Sequence, residues 1–217
     1  MTKFGALAVA LFAAVVALIV ASSARWPAPT PAPPLRPEHV IVVVDAGHGG
    51  HDPGAIVHGV QEKRIALELA LRVSELAGEE PWIEILLTRS GDYYVDLRER
   101  VGMAEREGAA MYISIHANAN ASTTICGAET WVHESVRPGD VSWKLAEVIQ
   151  RNLVNATGAT DRGVLRQPLY LRHTDLPAVL VEVGYLTCPR EHQLLQNPEY
   201  KERIAEGIWR GIVEFVR

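Results

Sequence analysis

The chain has 217 residues, with 21 Lys and Arg against 26 Asp and Glu, so its formal charge is −5. That balance argues against nucleic-acid binding by bulk electrostatics and gives no help in adsorbing to an acidic polymer. Beyond an N-terminal leader and spacer about 180 residues remain, enough for one substantial core and too few for two.

In chain order the first element is an export signal. Lys3 precedes an almost wholly aliphatic stretch, residues 4–21, followed by Ser22-Ser23-Ala24, small residues of the kind signal peptidase accepts. The stretch exceeds the hydrophobic region of most cleaved signals and just reaches bilayer-spanning length. Residues 1–24 therefore read either as a cleaved signal peptide or as a retained membrane anchor. Pro27, Pro29, Pro31, Pro33, Pro34 and Pro37 make residues 25–38 an extended, semi-rigid linker. The predicted domain is residues 39–217.

That domain opens on Val40-Ile41-Val42-Val43-Val44, a β-branched run without polar alternation, as in a strand covered on both faces. It stops at Asp45-Ala46-Gly47-His48-Gly49-Gly50, which places His48 on a strand-end loop. Glu62 then opens a segment where Ile65, Leu69, Val73 and Leu76 recur at helical spacing, an amphipathic helix closed near Gly78. Taken alone, a first-turn glutamate does no more than complement the helix dipole.

Residues 82–87 read as a strand and 97–107 as a helix. Met111-Tyr112-Ile113-Ser114-Ile115 repeats the buried-strand pattern and runs into His116, with Asn118 two positions further. A single histidine after a strand is ordinarily structural, satisfied by a hydrogen bond. Two of them, at the ends of two central strands, shift the reading toward a shared ligand.

A strand over residues 128–132 and a helix over 141–157, closed by Gly158, come next, then a short strand at 169–171. In Ala178-Val179-Leu180-Val181-Glu182-Val183 one carboxylate interrupts a run of aliphatics. An ionised group there needs a cation, a metal or a hydrogen-bonded water. An ion pair with Arg162 or Arg172 is one reading, and a catalytic base is the other. The last helix, residues 200–216, carries Ile204, Ile208, Ile212 and Phe215 as a core-facing stripe.

This alternation predicts an α/β fold, a single domain with a mixed twisted β-sheet flanked by helices on both faces. His48, Glu62, His116 and Glu182 all fall at the mouths of its apolar segments, where they are poor core material and good zinc-site material. Cys126 and Cys188 are left open, as a disulfide or as two free thiols.

Several motifs occur together in a fixed order: Val44-Asp45-Ala46-Gly47-His48-Gly49-Gly50 with Asp52-Pro53-Gly54-Ala55, Glu62 at its helix start, Leu87-Thr88-Arg89, residues 97–101, Ser114-Ile115-His116-Ala117-Asn118, Asp161-Arg162-Gly163-Val164, and residues 177–187. In that order they resemble the zinc-dependent N-acetylmuramoyl-L-alanine amidases of bacterial cell walls. The resemblance implies that His48, Glu62 and His116 hold one Zn2+ per chain and that Glu182 is the catalytic carboxylate. It also implies the bond that is cut, the amide joining the lactyl group of N-acetylmuramic acid to the L-alanine of a peptidoglycan stem peptide.

A cleft for peptidoglycan follows from the same resemblance, with Asn118 and Arg162 as candidate substrate-binding residues. Asp45 and Ser114 are candidates for orienting the imidazoles, and Arg89 and Arg100 for structural pairing with carboxylates. The expected location is extracytoplasmic, periplasmic or cell-wall associated, with membrane contact only through the N-terminal segment; any activator or division partner has no signature. Ala46 stands where proline is usual, and Glu105 and Cys188 where asparagine is, none of them in the zinc set. Residues 117–126 are too few to hold the plug helix some relatives insert there. Two other classes stay open: a catalytically inactive peptidoglycan-binding or division-scaffold protein, and a zinc carboxypeptidase or deacylase of related fold.

Overall fold

The computed structural model describes residues 39–217, so the expected signal or anchor and the Pro-rich linker lie outside the described residues. Strands β1 (Val40–Ala46), β4 (Ile83–Leu87), β5 (Met111–Asn118), β6 (Ala128–His133), β7 (Asp161–Gln167) and β8 (Ala178–Tyr185) form one sheet in the order β4-β1-β5-β8-β6-β7, while β2 (Ile56–Val57) and β3 (Val60–Gln61) pair in a small hairpin. Pairing is parallel from β4 through β8, β6 runs antiparallel to β8, and β7 is parallel to β6. The mixed sheet is thus as expected. One consequence matters for function: the ends of β1, β5 and β8 share an edge of the sheet with the beginnings of β6 and β7.

Among the described residues five helices accompany the sheet: α1 (Glu62–Leu76), α2 (Leu97–Arg106), α3 (Val141–Thr157), α4 (Pro189–Leu194) and α5 (Pro198–Val216). The absence of polar alternation in β1 has a direct cause. Val42 and Val44 enter one core with Ile65 and Leu69 of α1, Ile149 of α3 and Ile208 of α5, whereas Val43 enters a second core with Val101 of α2, Tyr112 and Leu180.

Helices α3 and α5 approach closely because α5 places glycines in the contact. A Cβ built on Gly207 would lie 2.8 Å from the Cα of Leu153, and one on Gly211 would lie 3.1 Å from the Cα of Ile149. Backbone cannot yield as a flexible side chain can, so Gly207→Val is expected to cost about 1–3 kcal/mol of stability through overpacking. Chemical denaturation measures it, with Gly78→Val, where nothing lies within 4 Å, as the control; equal midpoints for the two variants would contradict the close approach.

Two local expectations change, and one open choice is resolved. Residues 169–171 are not a strand: Tyr170–His173 is a 3-10 turn. The alternation of Leu169 and Leu171 suits a strand, but turning the chain drops Leu171 into the second core and swings the Tyr170 hydroxyl to Tyr112 and Asp45. The last helix starts two residues early at Pro198, capped by the Asn197 side chain, which accepts hydrogen bonds from the backbone N–H groups of Glu199 and Tyr200. Cys126 and Cys188 form a disulfide, with Cα atoms 5.5 Å apart, that ties the loop after β5 to the end of β8.

Candidate metal centre and catalytic carboxylate

His48 sits where β1 runs out, in a left-handed backbone conformation (φ 63°) that costs energy for a residue with a side chain. Two fully buried guanidinium groups hold it there. Arg100 donates to the carbonyls of Ala46 (2.7 Å) and His48 (2.6 Å), and Arg89 donates to those of Ala46 (2.8 Å) and Gly47 (2.8 Å). Arg100 is fixed in turn by buried Asp45, which also accepts from Thr88 Oγ1 (2.5 Å) and Ser114 Oγ (2.6 Å). Burial disfavours the charged Asp45, but Arg100 and these donors outweigh it and keep the carboxyl below the usual carboxylate range.

Asp45 and Ser114 therefore do not orient the imidazoles. They pair across β1 and β5 with the parity of Val43 and Tyr112, on the α2 face of the sheet. Asp52 instead lies against the outer nitrogen of an imidazole, with its Oδ2 2.8 Å from His48 Nδ1. Gly54 N–H donates to the other oxygen of Asp52 at 3.0 Å.

Glu62, the first residue of α1, supplies the point of convergence. Its Oε1 lies 3.0 Å from His48 Nε2 and 2.8 Å from His116 Nδ1, and its Oε2 accepts from Ala55 N–H at 2.9 Å. The imidazoles meet edge to face with centroids 4.8 Å apart. Two glycines make room: a Cβ on Gly54 (φ 64°) would lie 2.5 Å from Glu62 Oε2, and one on Gly47 would lie 2.4 Å from His116 Cε1.

Burial opposes ionisation of Glu62, yet hydrogen bonds from His116 and His48 prevail and hold its pKa far below the carboxylate range. Burial likewise depresses His48, and Glu62 and Asp52 reverse that, leaving its pKa raised. One ligand atom from each of His48, Glu62 and His116 lies within 4.8 Å of the others. Two nitrogens and one carboxylate oxygen, with the far nitrogen of one imidazole held by a second carboxylate, are a donor set that fits a metal ion keeping an open position.

Glu182 lies beside this cluster. On β8 it is in register with His116 of β5 on one side and with Glu129 of β6 on the other. It is buried, and its Oε2 has no hydrogen-bond partner. Burial above all, then the charges of Glu62 and Glu129, pushes its pKa well above the ordinary carboxylate value. Neither ion pair considered for it forms. Arg162 Nε instead donates to Glu129 Oε2 at 2.8 Å, and Arg172 Nε lies against His173.

Glu129 is the polar residue that the sequence pattern conceals. Inside Ala128-Glu129-Thr130-Trp131-Val132 it looks like the polar half of an ordinary alternation, but it is buried. Its Oε1 accepts from Asn118 Nδ2 (3.0 Å) and Tyr185 OH (2.9 Å). The Asn118 carboxamide oxygen accepts from Ala119 N–H, so both ends of that side chain are engaged within the protein. The Arg162 guanidinium lies 5.4 Å over the Tyr185 ring.

A depression of about 200 Å³ lies beside the two imidazoles, lined by His48, Asp52, Tyr94, Leu97, His116 and Tyr170 among others. A larger cavity of about 680 Å³ lies elsewhere, against Leu76, Trp209 and Arg217. His48, Glu62, His116 and Glu182 take no part in its lining.

Against known proteins, residues 42–214 match the N-acetylmuramoyl-L-alanine amidase family model. The chain is 36% identical to the N-acetylmuramoyl-L-alanine amidase LytC of Bacillus subtilis over 177 residues, which is 81% of this chain and 35% of LytC, so it spans about a third of that relative. Its fold is similar to the catalytic domain of CwlV, an N-acetylmuramoyl-L-alanine amidase from Bacillus (Paenibacillus) polymyxa, with a TM-score of 0.77 and 38% identity over 81% of this chain and 97% of that one. It is also similar to the CwlD amidase of Clostridioides difficile, solved in complex with the GerS lipoprotein, with a TM-score of 0.74 and 30% identity over 82% of this chain and 98% of that one.

Proposed function

The chain belongs to the N-acetylmuramoyl-L-alanine amidase family, and from that premise we propose that it hydrolyses the amide between the lactyl group of N-acetylmuramic acid and the L-alanine of peptidoglycan stem peptides. The observation that carries this reading is the convergence of His48, Glu62 and His116 within 4.8 Å beside a buried carboxylate, Glu182, with one oxygen unpartnered.

In this reading His48 Nε2, Glu62 Oε1 and His116 Nδ1 hold one zinc ion. Zinc there supplies Lewis acidity, polarising an amide carbonyl and lowering the pKa of water to about 7. Asp52 accepts a proton held on His48 Nδ1, which leaves the Nε2 lone pair facing the site. Glu62 Oε1 is the oxygen that faces both imidazole nitrogens, while Ala55 N–H fixes Oε2. Glu182 takes a proton from the attacking water and returns it to the leaving amine nitrogen as the C–N bond breaks. Its position beside the cluster, buried and with Oε2 unpartnered, leaves an oxygen free to take up that proton and hand it on.

The work is assigned outside the cytoplasm, with residues 1–24 as export signal or anchor, 25–38 as linker and 39–217 as the catalytic domain. The purified protein should release soluble peptides from isolated cell walls. Mass spectrometry should show intact lactyl groups and new alanine amino termini, and a chelator should stop the release until zinc is restored. Cuts elsewhere in the peptide would instead mean a carboxypeptidase or deacylase. Binding to walls without cleavage, zinc present, would mean a scaffold.

A further inference from the structure

Four polar side chains stand in a row on consecutive strands at the edge of the sheet that carries the centre. These are His116 on β5, Glu182 on β8, Glu129 on β6 and Arg162 on β7, linked by the register of His116 and Glu129 with Glu182 and by the bond from Arg162 to Glu129. Neighbouring strands are about 4.8 Å apart, which puts the Arg162 backbone about 10 Å from that of Glu182. An extended peptide advances about 3.5 Å per residue. A substrate running along this edge from a bond beside Glu182 therefore presents its second residue about 7 Å on, within reach of the arginine side chain.

The guanidinium is oriented before any ligand arrives. Nε is tied to Glu129 Oε2, one face lies over the Tyr185 ring, and Glu129 is itself held by Asn118 and the Tyr185 hydroxyl. Its two terminal nitrogens have no carboxylate or carbonyl partner among the described residues, and the side chain is 35% exposed. A planar fork anchored by Glu129 and by a hydrogen bond with Tyr185, with the rest of its edge partly open to solvent, is suited to a carboxylate. It also has work to do there, because Glu62, Glu182 and Glu129 would otherwise repel an anionic substrate.

We propose that Arg162 recognises a carboxylate carried by the second residue of the stem peptide, the one following the alanine released at the cut. Arg162 is on this view a specificity-determining residue, and the assignment rests on the amidase reading of the neighbouring centre.

Two muramoyl peptides that differ only in whether the second residue bears a carboxylate or a carboxamide test it. The zinc-loaded wild-type protein should cleave the carboxylate form with a kcat/KM about 10- to 100-fold higher, the worth of a hydrogen-bonded charge pair. In Arg162→Gln the ratio should fall to about 1, through a raised KM for the carboxylate form. Arg162→Lys, which keeps the charge and loses the fork, should give an intermediate ratio. A purely structural role in balancing Glu129 would slow both substrates equally and leave the ratio unchanged, which overturns the proposal. So does a wild-type protein that cuts both forms equally well, a comparison that does not depend on either variant folding. Cleavage of neither form by the zinc-loaded wild type would instead remove the amidase reading, and this assignment with it.

Discussion

Glu182→Gln abolishes turnover and leaves the metal in place: kcat on a soluble muramoyl peptide should fall by about 10²–10⁴, the usual worth of a positioned acid–base group, while zinc content per chain stays at the wild-type level. Glutamine has the shape of a protonated glutamic acid, so strand β8 should accept it without rearrangement. Stability should not suffer either. Burial raises the pKa of Glu182, so between the ordinary carboxylate pKa and that raised value the folded protein keeps a proton that the unfolded chain has lost. The wild type is thus most stable below that window and loses stability as pH rises through it, a loss the glutamine variant escapes. Melting of metal-free protein at about pH 4 and about pH 8 should show the two diverging at the higher pH. Wild-type turnover in the variant refutes Glu182 as the proton carrier, and loss of zinc would move it into the ligand set.

Much of the fold is written in the chain because its central strands are covered on both faces. Val40 to Val44 and Met111 to Ile115 can be uniformly apolar only where two layers of helix exclude water from either side. Helix α3 ends at Gly158 as its glycine cap requires, with φ 67° there. The 3-10 turn at Tyr170–His173 was not legible, because what bends it is the space under α2, a tertiary fact. Strand β7 was equally hidden: Asp161, Arg162 and Arg166 give an edge strand of the sheet a polar surface that reads as loop.

The centre divides in the same way. His48, Glu62 and His116 can be picked out because each ends or begins an apolar segment, and topology then brings strand ends together. Asp45 shows the limit of such reading, because nearness in sequence to His48 says nothing of contact: its carboxylate is taken up by Arg100, Thr88 and Ser114 and touches neither imidazole. Glu129 escaped notice for the converse reason, since its place in an alternating strand is what an exposed residue would show. Asp52 and Gly54 matter through distances of 2.8 Å and 2.5 Å that no spacing reveals.

His116→Ala should fail differently from Glu182→Gln. Losing a group that merely orients a ligand costs about 10–100-fold in metal affinity, so losing a ligand should cost more than about 100-fold. After dialysis against a chelator the variant should retain little zinc, and activity should fall in proportion. Glu62 then keeps only His48 and two backbone N–H groups, from Ala55 and Ala117, as partners. The hydrogen bond from His116 is the largest influence holding Glu62 ionised against burial, so the metal-free variant should also melt below the metal-free wild type at neutral pH. Full zinc content with full activity in His116→Ala would remove that imidazole from the site. Excess zinc separates the two variants: it should restore part of the activity of His116→Ala by mass action and none to Glu182→Gln, because occupancy is what the first lacks and proton transfer is what the second lacks.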